Sequence, residues 1–242
     1  KILSCGHLNN NDNVFEIGPG TGNLSERIIK KNPKKFFGIE KDEKLCSILK
    51  DKFGNSLNVI NTDVLNFKLS ELNCDNLVIF GNLPYNISTQ ILVNWIIYND
   101  NFSKIKRLIL MFQKEVADRI LGKVNDKHYG RLSIIANWKL IIKKEFDIDA
   151  SAFYPKPKIT STLLSMVPKK QFFNISNPKN LELITSIFFN QKRKMVKKPL
   201  NKIFNNNSNI IKKLKIDTNV RPQNLKPEVY YELAELLDNS RS

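Results

Sequence analysis

The sequence predicts an α/β fold: a mostly parallel sheet covered by helices on both faces, an antiparallel strand pair at one edge, and a small C-terminal helical domain. Three observations carry the prediction. Over the first 170 residues short apolar runs alternate with helical periodicity, the mark of β-α-β repeats. Two later strand-like segments are joined by a Pro-rich loop with no helix between them, which calls for antiparallel pairing. From about residue 171 the periodicity stays helical without strands. At about 150 residues per domain, 242 residues correspond to one to two domains, expected to be 1–170 and 171–242.

Each element rests on its own residues. NVFEIG (13–18) is an apolar run ending in glycine, NLSERIIKK (23–31) is helical, and KFFGIE (35–40) is the next strand. In DEKLCSILKDKF (42–53), Asp42 is placed to cap a helix whose Leu45, Ile48, Leu49 and Phe53 share one face. LNVIN (57–61), NLVIFG (76–81) and RLILMFQ (107–113) are three further buried strands, with the apolar helix TQILVNWIIY (89–98) between the last two. IIKKEFDI (141–148) and STLLSMVP (161–168) form the expected antiparallel pair around SAFYPKPKIT (151–160). LELITSIFF (181–189), MVKKPLNKIF (195–204) and PEVYYELAELL (227–237) are the C-terminal helices, and FNNNSN (204–209) is expected to be a loop.

Composition narrows the function. Hydrophobic residues make up 41%, enough for a packed core. Lys plus Arg number 39 against 23 Asp plus Glu, a net charge of +16 that favours polyanions, nucleic acid first and an acidic membrane surface second. Only seven of the 39 are Arg in a chain crowded with Lys, Asn and Ile, so base-composition bias accounts for the charge as readily. Cys5, Cys46 and Cys74 lie far apart and form no CxxC pair, which speaks against a disulfide framework or a cysteine zinc site and for a reducing compartment. With only His7 and His128, a His-rich metal site is excluded and no metal is expected. No apolar run reaches the roughly 18 residues of a membrane span and no signal peptide is visible, so the expectation is a cytoplasmic, monomeric protein without a membrane partner. Because the chain opens on Lys1, its natural beginning is expected upstream.

Four motifs carry chemistry. Glu16-Ile17-Gly18-Pro19-Gly20-Thr21-Gly22 ends the first strand, where glycines let the backbone turn tightly and approach a ligand. The third glycine comes one residue too early for a dinucleotide motif, and the plainer alternative is an ordinary β-α turn. Glu40 ends the second strand 22 residues beyond Gly18, where an acidic residue accepts from ribose hydroxyls; alternatively it belongs to the solvated cluster EKDEK (40–44). Asp63 follows the third strand and could accept from an adenine amine, or merely cap a turn. Gly81-Asn82-Leu83-Pro84-Tyr85-Asn86-Ile87-Ser88 sets an amide acceptor beside an aromatic face, which suits a flat heterocycle with an exocyclic amine; otherwise Tyr85 is a core residue beside a Pro turn.

Together EIGPGTG, GIE (38–40), TDVL (62–65) and GNLPYNIS resemble S-adenosylmethionine-dependent methyltransferases that act on adenine amines. QKEVADR (113–119), YGRLS (129–133), SAFYPKPKITS (151–161), NQKRK (190–194) and RPQNLKPE (221–228) narrow the resemblance to the KsgA-type ribosomal RNA small subunit adenine dimethyltransferases, from about residue 10 to the C-terminus. The resemblance implies a Rossmann-like class I methyltransferase sheet and S-adenosylmethionine as cofactor. Glu16, Gly18 and Gly20 would line the methionine end, Glu40 would take the ribose, and Asp63 with Val64 the cofactor's adenine. Asn82, which would also border the cofactor, and the Leu83 carbonyl would accept the two hydrogens of the target amine. Pro84 would hold the turn, and Tyr85 and Phe153 would sandwich the flipped base.

The implied mechanism is positioning and electrostatics without a strong base. Two departures from the family's pattern are visible: the chain begins within the helix after a Gln-Asn-Phe-Leu type segment, and Ala150 stands where a second Pro is usual. Residues 190–216 hold nine Lys and Arg and no Asp or Glu, expected to be an RNA-backbone surface through Lys192, Arg193, Lys194, Lys197 and Lys198, or else a solvated helix face. Lys156 and Lys158 would hold phosphates near the base. The expected partner is small-subunit rRNA in a ribosomal precursor. The alternatives are a large-subunit rRNA adenine methyltransferase of the antibiotic-resistance type, against which Leu83 and the RPQNLKPE tail speak, and a non-catalytic assembly factor.

Overall fold

The computed structural model describes residues 1–98, 102–152, 159–204 and 208–239. Its elements are α1 (Ile2–Cys5), β1 (Asn13–Ile17), α2 (Asn23–Ile29), β2 (Lys35–Glu40), α3 (Glu43–Phe53), β3 (Asn58–Asn61), β4 (Leu77–Asn82), α4 (Ser88–Tyr98), β5 (Ile105–Gln113), α5 (Lys114–Leu121) and α6 (Arg131–Lys139). There follow β6 (Leu140–Ile148), β7 (Ser161–Pro168), α7 (Pro178–Phe189), α8 (Lys197–Phe204), α9 (Ser208–Lys213) and α10 (Pro227–Asn239). The seven strands form one sheet in the order β3-β2-β1-β4-β5-β7-β6. The first five are parallel, while β7 pairs antiparallel with β5 and β6, so the expected edge pair is present.

The inner strands are apolar because both sheet faces are covered. Every residue of β1 is buried, and Val14 packs with Ile28, Leu49, Val78, Phe80 and Ile109 in one cluster. Chain order reverses beside β1: β2 and β3 lie on one side, β4 and β5 on the other. That reversal opens a crevice beyond the carboxyl ends of β1 and β4, where open α/β sheets bind ligands.

Several expectations need correction. The pattern of residues 57–61 predicts a buried strand, but β3 is the outer strand and is only half-buried. In α3 the Asp42 cap is as expected, its carboxylate accepting from the Lys44 and Leu45 amides. Ile48, however, is 47% exposed, and the inward side is carried by Cys46 and Leu49. At about 100° per residue, Ile48 lies roughly 200° around the helix from Cys46. Phe204 ends α8 and α9 begins at Ser208, so of the expected 204–209 loop only 205–207 remain, outside the described residues.

The chain also divides differently. One compact unit comprises Lys1–Trp95, Asn99–Ala117 and Leu140–Pro168; the other comprises Ile96–Tyr98, Asp118–Lys139 and Lys169–Ser242. A boundary at residue 170 therefore misses the 118–139 segment, which groups with the C-terminal helices. The reason is α6, buried at Leu132, Ile134, Ile135, Ala136 and Trp138 on nearly all sides. Its Ile134 carbonyl accepts the Tyr231 hydroxyl of α10 at 3.0 Å, and Trp138 donates to the Phe173 carbonyl at 2.7 Å. In the same unit α7 meets α10 through Phe188 edge-on to Tyr230, at 5.3 Å between ring centres. Among the described residues, no helix is long and apolar enough to cross a membrane.

Candidate active site

The site begins where β1 runs out. Gly18, Gly20 and Gly22 all adopt positive φ, +61°, +58° and +82°, a region that side chains disfavour. The Gly18 amide donates to the Ile39 carbonyl at 2.9 Å, extending the β1–β2 ladder, and the Gly22 amide donates to Pro19 at 2.9 Å, closing the turn into α2. The three glycines have different surroundings. A Cβ on Gly22 would meet the Phe53 ring at 2.4 Å, so that glycine is required by packing. At Gly18 and Gly20 a Cβ would find nothing within 4 Å. Their backbone therefore borders open space, a cradle that leaves room for a ligand to approach it closely.

Three carboxylates lie in β1, at the end of β2 and after β3, and the fold treats each differently. Glu16 is buried in β1, and Ser25 of α2 donates to it at 2.6 Å. Burial pushes its pKa up from 4.5 to about 7, against the opposing pull of the serine. Glu40 ends β2 as a tether: Oε2 accepts the Gly20 amide at 3.2 Å, and Oε1 accepts the amides of Lys41 and Asp42 at 2.9 and 3.1 Å. Of roughly four acceptor positions on a carboxylate, the backbone takes three. Glu40 thus holds the glycine loop to the start of α3 instead of standing free in the charged cluster. Asp63 accepts the Leu65 amide at 3.0 Å and Lys41 Nζ at 2.9 Å, and these two bonds, the amide foremost, hold its pKa below the usual aspartate value.

The fourth strand supplies the other half. Gly81 pairs with Ile17 of β1 in register, and a Cβ at Gly81 would come within 2.9 Å of Leu83. Glycine there lets the next residues fold closely over the strand end. Asn82 is exposed while Leu83 is buried at 1% exposure, which anchors the loop from below. The Pro84 carbonyl accepts the amides of Ile87 and Ser88 at 3.1 and 3.0 Å, a tight turn into α4. Tyr85 is half-buried, and its hydroxyl shares a 2.8 Å hydrogen bond with Ser161, itself fully buried at the start of β7. That bond fixes the ring at its tip, so Tyr85 is neither a core residue nor a free side chain. In strand order, Asp63 follows β3, Glu40 ends β2, Gly18 follows β1 and Asn82 ends β4. At about 4.8 Å per strand they span roughly 14 Å along one sheet edge.

This arrangement has relatives. The family description "Ribosomal RNA adenine dimethylase" matches residues 1–239. The chain belongs to the ribosomal RNA adenine dimethylase family. It is 49% identical over 241 residues to the "Ribosomal RNA small subunit methyltransferase A" of Pelagibacter ubique (strain HTCC1062), covering 100% of this chain and 92% of the relative. It is 37% identical to the protein of the same name in Ehrlichia canis (strain Jake), over 97% of this chain and 89% of the relative. The crystal structure of a dimethyladenosine transferase from Plasmodium falciparum superposes with a TM-score of 0.80 at 26% identity, covering 99% and 94% of the two chains. The 23S rRNA methyltransferase ErmE, at 20% identity and TM-score 0.70 over 98% and 96%, shares the fold.

Within this dimethylase framework the remaining expected residues fall into two groups. Val64 is half-buried beside Asp63, and Lys192, Arg193, Lys194, Lys197 and Lys198 are all exposed at the start of α8 and the turn before it. Phe153, Lys156 and Lys158 lie outside the described residues. Sequence reasoning missed Lys41, Ser25 and Ser161. Lys41 looked like one charge of EKDEK, yet its amide meets Glu40 and its ammonium meets Asp63. Ser161 closes the SAFYPKPKITS motif, a signal that could have flagged it. Ser25 had no signal beyond lying one helical turn past the glycines. Among the described residues no group of three His, Cys, Asp or Glu is placed to hold a metal.

Proposed function

We propose that this dimethylase transfers methyl groups from S-adenosylmethionine to the exocyclic amines of adenines in small-subunit rRNA during ribosome assembly, acting as a cytoplasmic monomer. The observation that carries this reading is an exposed Asn82 at the end of β4, one strand from an open glycine cradle and three residues before a pinned aromatic. The small-subunit assignment is supported by the relatives at 49% and 37% identity, both ribosomal RNA small subunit methyltransferase A. The three free thiols agree with a reducing compartment.

S-adenosylmethionine supplies, when bound, a methyl group already activated on a sulfonium. The chain's own residues do the rest. Gly18 and Gly20 approach the methionine end through backbone, Glu40 offers its remaining acceptor position on Oε2 to the ribose, and Asp63 with Val64 faces the adenine. An adenine amine is a poor nucleophile because its lone pair is delocalised into the ring. The Asn82 side-chain oxygen and the Leu83 carbonyl accept its two hydrogens, favour a pyramidal nitrogen and free the lone pair. Pro84 sets the spacing between acceptors and ring, and Tyr85 holds the base by stacking. Once methylated, the amine nitrogen is cationic and strongly acidic and releases its extra proton to solvent, so no group with a raised basicity is required.

The test incubates the purified chain with methyl-labelled S-adenosylmethionine and, side by side, immature small subunits and protein-free large-subunit RNA, then digests each RNA. N6,N6-dimethyladenosine in small-subunit RNA is the expected product. Label confined to large-subunit RNA would transfer the reading to the antibiotic-resistance class. Cofactor binding without any label would make the chain an assembly factor.

A further inference from the structure

Dimethylation sets a geometric problem, because the substrate of the second transfer has lost a hydrogen that held it in the first. The unmodified amine has two hydrogens, one for the Asn82 side-chain oxygen and one for the Leu83 carbonyl. Once methylated it has one, and one acceptor is left without a partner. Stacking on Tyr85 fixes the plane of the ring but not its rotation within that plane. A second transfer at the same place therefore calls for a contact to a ring atom, which methylation of the amine does not alter.

The strand register puts Gln113 in the right place. Asn82, the last residue of β4, pairs with Met111, and Gln113 ends β5 two residues further on. Side chains alternate along a strand, and paired residues share a face. Phe80, Met111 and Leu163 lie together in the core cluster, so Asn82, Gln113 and Ser161 continue that same face of β4, β5 and β7 at the site. Gln113 pairs directly with Ser161, which shares its hydrogen bond with the Tyr85 hydroxyl. Tyr85 thus reaches from the loop after β4 to β7, across the end of β5, and Gln113 stands on the strand between. At about 4.8 Å per strand, Gln113 is one strand from Asn82 and one from Ser161. Its backbone is fixed, because the next amide, Lys114, donates to the Thr160 carbonyl at 3.0 Å and carries the β5–β7 ladder past the strand. Gln113 is half-buried, and among the described residues its side-chain amide has no hydrogen-bond partner. That amide offers two N–H donors. Adenine presents in-plane lone pairs at N1 and N7, on the two sides of its amine, and both survive methylation of the amine.

We propose that Gln113 holds the base for the second methyl transfer, its side-chain amide donating to the ring nitrogen that lies on the β5 side of the amine. The inference rests on the reading that the substrate is an adenine whose amine sits at Asn82. In the first transfer this bond duplicates what the two amine hydrogens already do. In the second it replaces the one that is lost, so its weight falls there.

The test compares the parent with Gln113→Leu and Gln113→Glu on immature small subunits, with enzyme in excess and labelled S-adenosylmethionine saturating. Time courses read N6-methyladenosine and N6,N6-dimethyladenosine separately after digestion. Gln113→Leu removes the donor. Gln113→Glu keeps the shape but turns an ionised carboxylate, an acceptor only, toward the ring nitrogen's lone pair. In both variants the second step should slow about tenfold and the first by less than about threefold, so that N6-methyladenosine accumulates. Calorimetry should give parental affinity for S-adenosylmethionine. A parental ratio of the two products in either variant overturns the proposal. So does an equal slowing of both steps, which a merely loosened strand end would give, and so does weakened cofactor binding, which would put Gln113 on the cofactor side. A parent that methylates small-subunit adenines but stops at N6-methyladenosine overturns it as well. A parent that leaves small-subunit RNA unlabelled overturns the substrate reading, and the role of Gln113 falls with it.

Discussion

Asn82 and Glu40 end the two strands that flank β1, and mutation should separate the roles proposed for them. Asn82→Ala removes the acceptor for the target amine while leaving the glycine cradle intact. Methyl transfer should fall about 10²-fold or more, with cofactor affinity within a few fold of the parent; single-turnover kinetics alongside calorimetry checks both, and unchanged turnover would end the role given to Asn82. Glu40→Ala should act on binding. It removes the ribose acceptor and also frees the Gly20, Lys41 and Asp42 amides, so S-adenosylmethionine should bind more weakly by roughly 1.5–3 kcal/mol. Glu16 predicts a pH dependence. Its pKa is about 7 in the folded chain against 4.5 ordinarily. The folded state therefore holds the proton more tightly, and the resulting stability is full below about pH 4.5 and lost as pH rises through about 7. Glu16→Gln, permanently neutral, should gain on the parent by on the order of 2–3 kcal/mol between pH 5 and pH 8.5 in urea denaturation. A pH-independent difference would mean the carboxylate is stabilised by something other than Ser25.

At the scale of elements, the loop after β4 works because neighbours on both sides immobilise it. Leu83 is buried, Pro84 caps the turn into α4, and Ser161 of β7 holds the Tyr85 hydroxyl. Tyr85→Phe keeps the aromatic face and leaves a buried serine hydroxyl without that partner. It should cost about 1–3 kcal/mol of stability and lower methyl transfer far less than Tyr85→Ala, which also removes the stacking surface. Thermal unfolding and turnover of the two variants check this; equal falls in turnover would mean the hydroxyl, not the ring, is what the reaction uses.

For the molecule as a whole, the C-terminal charge should govern association with RNA. Replacing Lys192, Arg193, Lys194, Lys197 and Lys198 by Gln should weaken subunit binding and flatten its salt dependence by roughly 0.7–0.9 slope units for each phosphate released from the surface. Cofactor affinity should not change, since Gly18, Glu40 and Asp63 belong to the sheet-containing unit. Superimposable salt titrations of parent and variant would assign these residues to solubility alone.

The sequence by itself determined the strand and helix alternation, the antiparallel pair, the cap at Asp42 and the motif residues at four strand ends. These are local facts: hydrophobic period, glycine at turns and proline in loops follow from a few consecutive residues. Only the tertiary structure decided the rest. Ile48 falls on the wrong side of the predicted core stripe because helical spacing does not say which side of the stripe meets the sheet. A boundary at residue 170 leaves 118–139 in the wrong unit because α6, apolar all round, has no periodicity to show its partners, which are α7 and α10, 39 or more residues on. Whether Glu40 belonged to a solvated cluster or to the site turned on three backbone amides that a one-dimensional pattern cannot place. The pairing of Lys41 with Asp63 and of Tyr85 with Ser161 joins residues 22 and 76 positions apart. Such pairs exist only once the sheet order is fixed, because that order brings distant strand ends and loops within hydrogen-bonding reach.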